Sequence, residues 1–253
     1  MRLLKSHLFA LVALVTSLQV QANEKPKIIL SPFAPTVQGV SIPNTHEVAR
    51  ADGFVLRGMT PLTTEQVKEL ADIGINHILI FRADSPGETG IADEKALIAQ
   101  HPRIRNVTNI QFPWKDLSDF GLHCRNTVEA LRIIRDSLKT PGEGLFFHCT
   151  VGEDRTGYLA GLYRVLFEGV TPHQALKSEM CTRGYAEADP TKPQFVIDLV
   201  HANVTPLYLK MNELIAKGVL TQELDLRACD IDPATDEAFA KRLQSEAALY
   251  RCQ

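Results

Sequence analysis

Two short runs of the chain, "INHILIF" at residues 75–81 and "GLFFHC" at 144–149, are dominated by β-branched, aromatic and other apolar residues, and each leads into helical spacing. A strand with one wetted face alternates apolar and polar positions. Runs without that alternation describe strands covered on both faces, the habit of parallel sheets. The handover from strand to helix recurs along the chain. "GFVLRG" (53–58) precedes "TPLTTEQVKELADIG", in which Thr63 and Gln66 have capping-box spacing and Gly74 marks the stop. "DEKALIAQ", "VTNIQF" and "TVEALRIIRDSL" read as helix, strand and helix, and "RTGYLAGLYRVLFEG" as a helix closed by Gly169. "TPHQALKSEM" begins another, capped by Thr171 with Gln174 and with Pro172 at its first position. The pattern predicts an α/β fold, a central and mostly parallel sheet flanked by helices. Residues 23 to about 50 read as an extended lead-in to a domain over 23–195, and 196–253 as a helical C-terminal extension.

The N-terminus has a different logic. Arg2 and Lys5 make a basic start, "LFALVALVTSL" is a short apolar run, and Val20-Gln21-Ala22 ends in small residues. This is signal-peptide architecture, with cleavage expected after Ala22 and a secreted or periplasmic destination. The apolar run is shorter than the roughly 20 residues that span a bilayer, and no later segment suits one, so no stable membrane insertion is expected. Removing residues 1–22 leaves 25 Lys and Arg against 30 Asp and Glu, a net charge of −5. A mildly acidic chain with no basic stripe argues against nucleic acid as a partner.

The segment that carries chemistry is "HCTVGEDRTG", which joins the strand ending at His148 to the next helix. In parallel sheets such strand-to-helix junctions are where ligands bind. A loop from Cys149 to Arg155 can curl so that successive backbone N–H groups converge, with Gly152 free to take positive φ or approach other backbone closely. The helix that follows directs the positive end of its dipole at the same point. Thr150, Val151, Gly152, Glu153, Asp154 and Arg155 therefore make a candidate anion cradle, with the Arg155 fork available for two oxygens. A cysteine in that field is favoured as thiolate, a nucleophile placed under a tetrahedral phosphorus. None of the other four cysteines has an arginine six residues on. His148 and Cys149 do not form a protease dyad, because adjacent strand residues point to opposite faces.

This loop is similar to the His-Cys-x5-Arg-Thr/Ser signature of cysteine-dependent protein tyrosine phosphatases, and resembles most the bacterial dual-specificity-like members. The resemblance covers roughly residues 45–185. It implies Cys149 as nucleophile, Arg155 as phosphoryl binder, Thr156 as the hydroxyl that assists breakdown of a cysteinyl-phosphate, and His148 as a residue tuning the cysteine. The general acid in that family comes from an upstream loop. Here "QFPWKDLSDFG" offers Asp116 and Asp119, 33 and 30 residues before the cysteine. Trp114-Lys115-Asp116 resembles the Trp-Pro-Asp loop of tyrosine phosphatases, with Lys115 in place of proline. Asp116 is the favoured acid, and Asp119 suits better a cap on the following helix.

The chemistry so implied needs no metal and no cofactor. Its substrate is a phosphorylated protein or small phosphomonoester. Because Glu153 and Asp154 make the loop acidic, phosphotyrosine or phosphoprotein is favoured over phosphoinositide or inositol polyphosphate. A non-catalytic phosphate-binding module is the alternative from another class, disfavoured by an intact nucleophile. "DIDPATDE" (230–237) lacks the sixth-position glycine and twelfth-position glutamate of a calcium loop and reads as a helix N-cap region. Five cysteines in an exported chain suggest one free thiol, Cys149, and two disulfides among Cys124, Cys181, Cys229 and Cys252. Of the three pairings, Cys124–Cys181 with Cys229–Cys252 is expected. The first pair would meet at the active-site end. The second would close about 24 residues of the extension, worth roughly 3 kcal/mol in the chain-entropy account.

Overall fold

The computed structural model describes residues 30–84 and 90–252. The segment expected to be a signal peptide, with its cleavage point after Ala22, lies outside the described residues. Five strands form one sheet: β1 (His46–Arg50), β2 (Phe54–Gly58), β3 (His77–Phe81), β4 (Asn106–Ile110) and β5 (Gly144–His148), in the order β1-β2-β5-β3-β4. β5 is central and parallel to both β2 and β3, and β4 is parallel to β3. Only β1 runs antiparallel, on the edge beside β2. The expected mostly parallel sheet is present. The sequence pattern assigns the antiparallel edge strand to the extended lead-in, and "HEVAR" shows why: Val48 is its one fully buried apolar residue, and it carries charges at Glu47 and Arg50.

Alternation within the buried strands divides the core in two. Val55, Leu79, Phe81, Leu145 and Phe147 face one layer, and Leu56, Ile78, Ile80 and Phe146 face the other. The second layer is closed by α1 (Thr64–Asp72) and α2 (Ile91–Ile98) through Val67, Leu70, Ile91 and Ile98. The first is closed by α3 (Phe120–Lys139) and α4 (Asp154–Glu168). Thr63 caps α1 by accepting the Gln66 N–H, but Gln66 Oε1 turns to Leu62 N at 2.7 Å rather than to the cap residue, so half of the capping box forms. At α5 (Pro172–Ala175) both halves form between Thr171 and Gln174, and the chain continues through a π-turn over Leu176–Met180. Gly74 and Gly169 leave their helices at φ +97° and +69°, the left-handed stops that glycine allows.

The C-terminal residues form α6 (Gln194–Leu199), a π-turn over Val200–Val204, α7 (Thr205–Ala216), short 3-10 turns and α8 (Glu237–Ala247). Val204, Leu207, Tyr208, Met211 and Leu214 join the core around α4, where the Tyr158 and Tyr208 rings meet edge-on at 6.3 Å. Asp232 and Asp236 of the "DIDPATDE" segment act as N-caps, accepting Ala234 N and Ala238 N at 2.9 Å each. No helix among the described residues is long and apolar enough to cross a membrane.

The disulfides correct the sequence-based pairing. They join Cys124 to Cys229 and Cys181 to Cys252, leaving Cys149 as a free thiol. The extension does not close upon itself. Its 3-10 turn over Leu226–Asp230 packs along α3, where Arg132 donates to the Leu224 carbonyl at 2.6 and 3.0 Å. Its last residues return to the turn after α5, with Cys252 N donating to Glu187 Oε1 at 2.7 Å. Each C-terminal cysteine thus meets a cysteine of the sheet-and-helix body.

Candidate active site

The C-terminal ends of β2, β5 and β3 finish level, with Gly58 and Ile80 both opposite His148, and the Cys149–Glu153 loop rises from that edge into α4. Gly152 sits at φ +75°, and a Cβ there would lie 2.3 Å from the Gly58 carbonyl oxygen and 2.6 Å from Met59 N. Only glycine meets both demands. Thr60 N donates to the Thr150 carbonyl at 3.2 Å, a second seam between loop and β2 exit. The N–H groups of Val151, Gly152, Glu153 and Asp154 have no backbone acceptor among the described residues. Together with the α4 N-terminus they leave a set of backbone donors without backbone acceptors at this junction.

Cys149 is almost fully buried and its N–H donates to Thr156 Oγ1 at 2.9 Å. That bond uses a lone pair of the hydroxyl and leaves its proton free to be donated elsewhere. Arg155, one residue earlier, donates from Nη2 to Thr150 Oγ1 at 3.0 Å, and its guanidinium lies 5.9 Å from the centre of the Trp114 ring. Trp114, two residues before Asp116, is thereby set beside the end of the Cys149 loop.

Asp119 and Asp116 part company. Asp119 is the N-cap of α3, accepting Leu122 N at 2.9 Å. Asp116 is exposed and accepts the Ser118 hydroxyl at 2.7 Å and its N–H at 3.1 Å. Those two bonds hold the Asp116 carboxyl below the usual carboxylate range.

His148 belongs to the opposite face of β5. Its Nδ1 donates to the Cys149 carbonyl at 2.9 Å, and its Nε2 lies 2.8 Å from Glu94 Oε1 without forming a hydrogen bond. Glu94, on α2, also accepts from Arg82 at 2.9 Å. Burial pushes the Glu94 carboxyl up, but the His148 and Arg82 partners outweigh it and leave it below its ordinary range. The imidazole therefore braces the backbone of the cysteine from behind.

The two acidic loop residues are oriented unlike the expectation drawn from sequence. Glu153 and Asp154 were counted as cradle residues whose charge opposes polyanions, but both side chains are buried away in a cluster around Lys192. Lys192 Nζ reaches Asp154 Oδ1 at 2.8 Å, Asp154 Oδ2 at 2.9 Å, Glu153 Oε2 at 3.0 Å and the Gly184 carbonyl at 2.7 Å. The Ser31 hydroxyl donates to Glu153 Oε1 at 2.7 Å, and Ala186 N to Asp154 Oδ1 at 2.8 Å. Burial pushes the Glu153 carboxyl up to about 7 against the pull of Lys192. Neither carboxylate is left to face a ligand from the loop.

A second buried cluster supports the loop from β2. Arg57 pairs with Glu179 of the π-turn at 2.8 Å, and Glu179 accepts also from His46 Nε2 at 3.0 Å. Burial raises the Glu179 carboxyl, yet the His46 bond and the Arg57 charge hold it below the usual range. Arg57, Arg82, Glu94, Glu179 and Lys192 are not marked by the loop motif. For the two arginines the visible signal was a charge set inside or directly after an apolar run, as in "GFVLRG" and "HILIFR"; the other three carry no such mark.

Residues 44–192, more than half of the chain, match the family described as the tyrosine phosphatase family. The chain belongs to that family. Among solved structures it is similar to TpbA of P. aeruginosa, with 18% identity over 71% of this chain and 96% of that one at a TM-score of 0.46. It is similar to Tk-PTP, with 15% identity over 68% and 97% of the two chains and a TM-score of 0.47. A third likeness is to the core catalytic domain of the PP-IP phosphatase SIW14 of S. cerevisiae, at 16% identity, 71% and 95% coverage and a TM-score of 0.45. Comparison with curated proteins finds no match. The tyrosine phosphatase match spans the sheet, the cradle and the buried clusters behind it, so the chain is a phosphatase of this family.

Proposed function

We propose that this phosphatase hydrolyses phosphomonoesters through a cysteinyl-phosphate on Cys149. The observation that carries the reading is the loop itself: a buried free thiol at the strand end, followed by N–H groups with no backbone acceptor among the described residues, closed by Gly152 against Gly58 and flanked by Arg155. The backbone amides and the Arg155 fork hold the phosphoryl oxygens. The Cys149 thiolate attacks phosphorus, forming the S–P bond, while the P–O bond to the leaving group breaks and that oxygen takes a proton from Asp116. Water then attacks phosphorus and gives a proton to the Asp116 carboxylate. The S–P bond breaks, and inorganic phosphate leaves. Thr156, whose oxygen already accepts the Cys149 N–H, donates a hydrogen bond from its hydroxyl to the departing thiolate and keeps its proton.

The proposed substrates are phosphotyrosine and phosphoproteins, supported by the Trp114 ring beside Arg155, an aromatic wall for an aryl ester. A specific observation keeps inositol polyphosphates and phosphoinositides as the second reading: the loop carboxylates that would repel them are paired with Lys192. The proposed location is an oxidising one, secreted or periplasmic, supported by two disulfides beside one free thiol.

The test uses protein lacking residues 1–22. It should hydrolyse para-nitrophenyl phosphate in the presence of chelator and be inhibited by vanadate, and Cys149→Ser should abolish turnover while retaining phosphate binding. Turnover that survives Cys149→Ser refutes the mechanism. Rates on phosphotyrosyl peptides, phosphoinositides and phytate distinguish the substrate classes, and a preference for phytate overturns the first.

A further inference from the structure

The Gly152 carbonyl accepts two side-chain hydrogen bonds from behind the loop. Arg57 Nη2 donates to it at 2.8 Å from β2, and Asn44 Nδ2 at 3.0 Å from the segment before β1. The peptide that follows is trans, as all described ones are. In a trans peptide the C=O and the next N–H point in opposite directions within one rigid plane. Pinning the Gly152 oxygen toward Arg57 and Asn44 therefore turns the Glu153 N–H away from them. We propose, resting on the phosphatase reading, that Arg57 and Asn44 are positioning residues that aim the Glu153 N–H into the anion cradle.

Each donor is itself held by a second contact. Arg57 Nη1 donates to Glu179 Oε1 at 2.8 Å, and Asn44 Nδ2 donates also to the Arg183 carbonyl at 2.9 Å. Asn44 occupies the left-handed region at φ +58°, which asparagine tolerates better than most residues and which swings its amide toward the loop. The guanidinium matters as a fork: one nitrogen serves the Glu179 carboxylate while the other reaches the carbonyl, a division a single ammonium performs poorly. Arg57 is wholly buried, and its Nε has no hydrogen-bond partner among the described residues. A buried ion pair contributes little net stability against an apolar replacement, and an unpaired buried N–H adds cost. An orienting role accounts for keeping such a group under the loop, and its charge is also within electrostatic reach of Cys149.

The experiment compares full-length mature protein carrying Arg57→Met, Arg57→Lys and Asn44→Gly, the last tolerating positive φ. Four quantities are measured: the inhibition constant of inorganic phosphate, kcat and KM on para-nitrophenyl phosphate, the rate of Cys149 alkylation by uncharged iodoacetamide, and Tm. Arg57→Met and Asn44→Gly should each weaken phosphate binding by about tenfold, the worth of one hydrogen bond to a charged ligand. KM should rise and kcat fall together, while alkylation by the neutral reagent persists. Arg57→Lys should recover part of the phosphate affinity that Arg57→Met loses. If Arg57→Met does not fold, Asn44→Gly alone decides. Phosphate inhibition within twofold of wild type in a folded variant refutes the positioning role, as does a lysine variant no better than methionine. Wild-type protein that neither binds phosphate nor cleaves the ester refutes the phosphatase reading instead.

Discussion

Glu153 gives the sharpest quantitative test of how the loop is built. Its carboxyl is pushed up to about 7 from an ordinary 4.5, burial being the largest cause, with Lys192 pulling the other way. A group whose folded value lies above its unfolded value stabilises the protein fully below the unfolded value. That contribution is lost as pH rises through the folded value. At about 1.4 kcal/mol per pH unit, the span from 4.5 to about 7 corresponds to about 3 kcal/mol lost between mildly acidic and mildly alkaline pH. Glu153→Gln removes the titration and keeps an acceptor for the Ser31 hydroxyl. Urea unfolding of both proteins, with disulfides intact, should give similar stabilities near pH 5. By pH 8 the glutamine variant should be the more stable, by about 3 kcal/mol. A difference between the two that stays flat from pH 5 to 8, or that favours the wild type as pH rises, would refute the buried, desolvated placement of this carboxyl.

Three further outcomes are expected. Ser118→Ala removes the hydroxyl that holds Asp116 below the usual range, so the limb of the kcat–pH profile on which the acid loses its proton should move to higher pH; an unmoved limb excludes Asp116 from that role. Asp116→Ala should lower kcat by about a hundredfold or more, whereas Asp119→Ala, which removes the α3 N-cap, should cost about 1 kcal/mol of stability with kcat changed only a few-fold. The disulfides close separations of 105 and 71 residues, so breaking Cys124–Cys229 or Cys181–Cys252 should destabilise by up to about 5 and about 4 kcal/mol in the chain-entropy account; non-reducing peptide mapping that finds Cys124 joined to Cys181 overturns the pairing.

The parts of this fold that sequence made visible are those fixed by local pattern. β3 and β5 are apolar because both faces are covered, and the Thr171–Gln174 box and the Gly74 and Gly169 stops are short-range devices. The loop motif could be read for the same reason, since Cys149, Gly152, Arg155 and Thr156 lie within eight consecutive residues. What escaped depends on tertiary neighbours. "HEVAR" becomes a strand only because β2 offers an edge, and the cysteines pair according to where the extension docks. The acidity of the loop misled because charge was read without direction: whether Glu153 and Asp154 face a ligand or Lys192, some 40 residues further on, is decided by packing.

The two faces of the loop carry different kinds of chemistry. Its N–H groups from Val151 to Asp154 have no backbone acceptor among the described residues, and its polar remainder is satisfied from behind by groups drawn from across the chain. Asn44 and Arg57 take the Gly152 carbonyl, Lys192 takes both carboxylates, and His148 takes the Cys149 carbonyl. Two of these supports pass through the turn after Cys181: Asn44 also holds the Arg183 carbonyl, and Lys192 the Gly184 carbonyl. Cys181 is tied to Cys252, and Cys124, on the helix that follows the Asp116 loop, is tied to Cys229. The C-terminal extension therefore fastens two segments near the loop, the helix that follows Asp116 on one side and the backing turn on the other. A cradle whose donors must converge within a few tenths of an ångström gains from such fastening, because rigid supporting groups hold the orientation that anion binding needs.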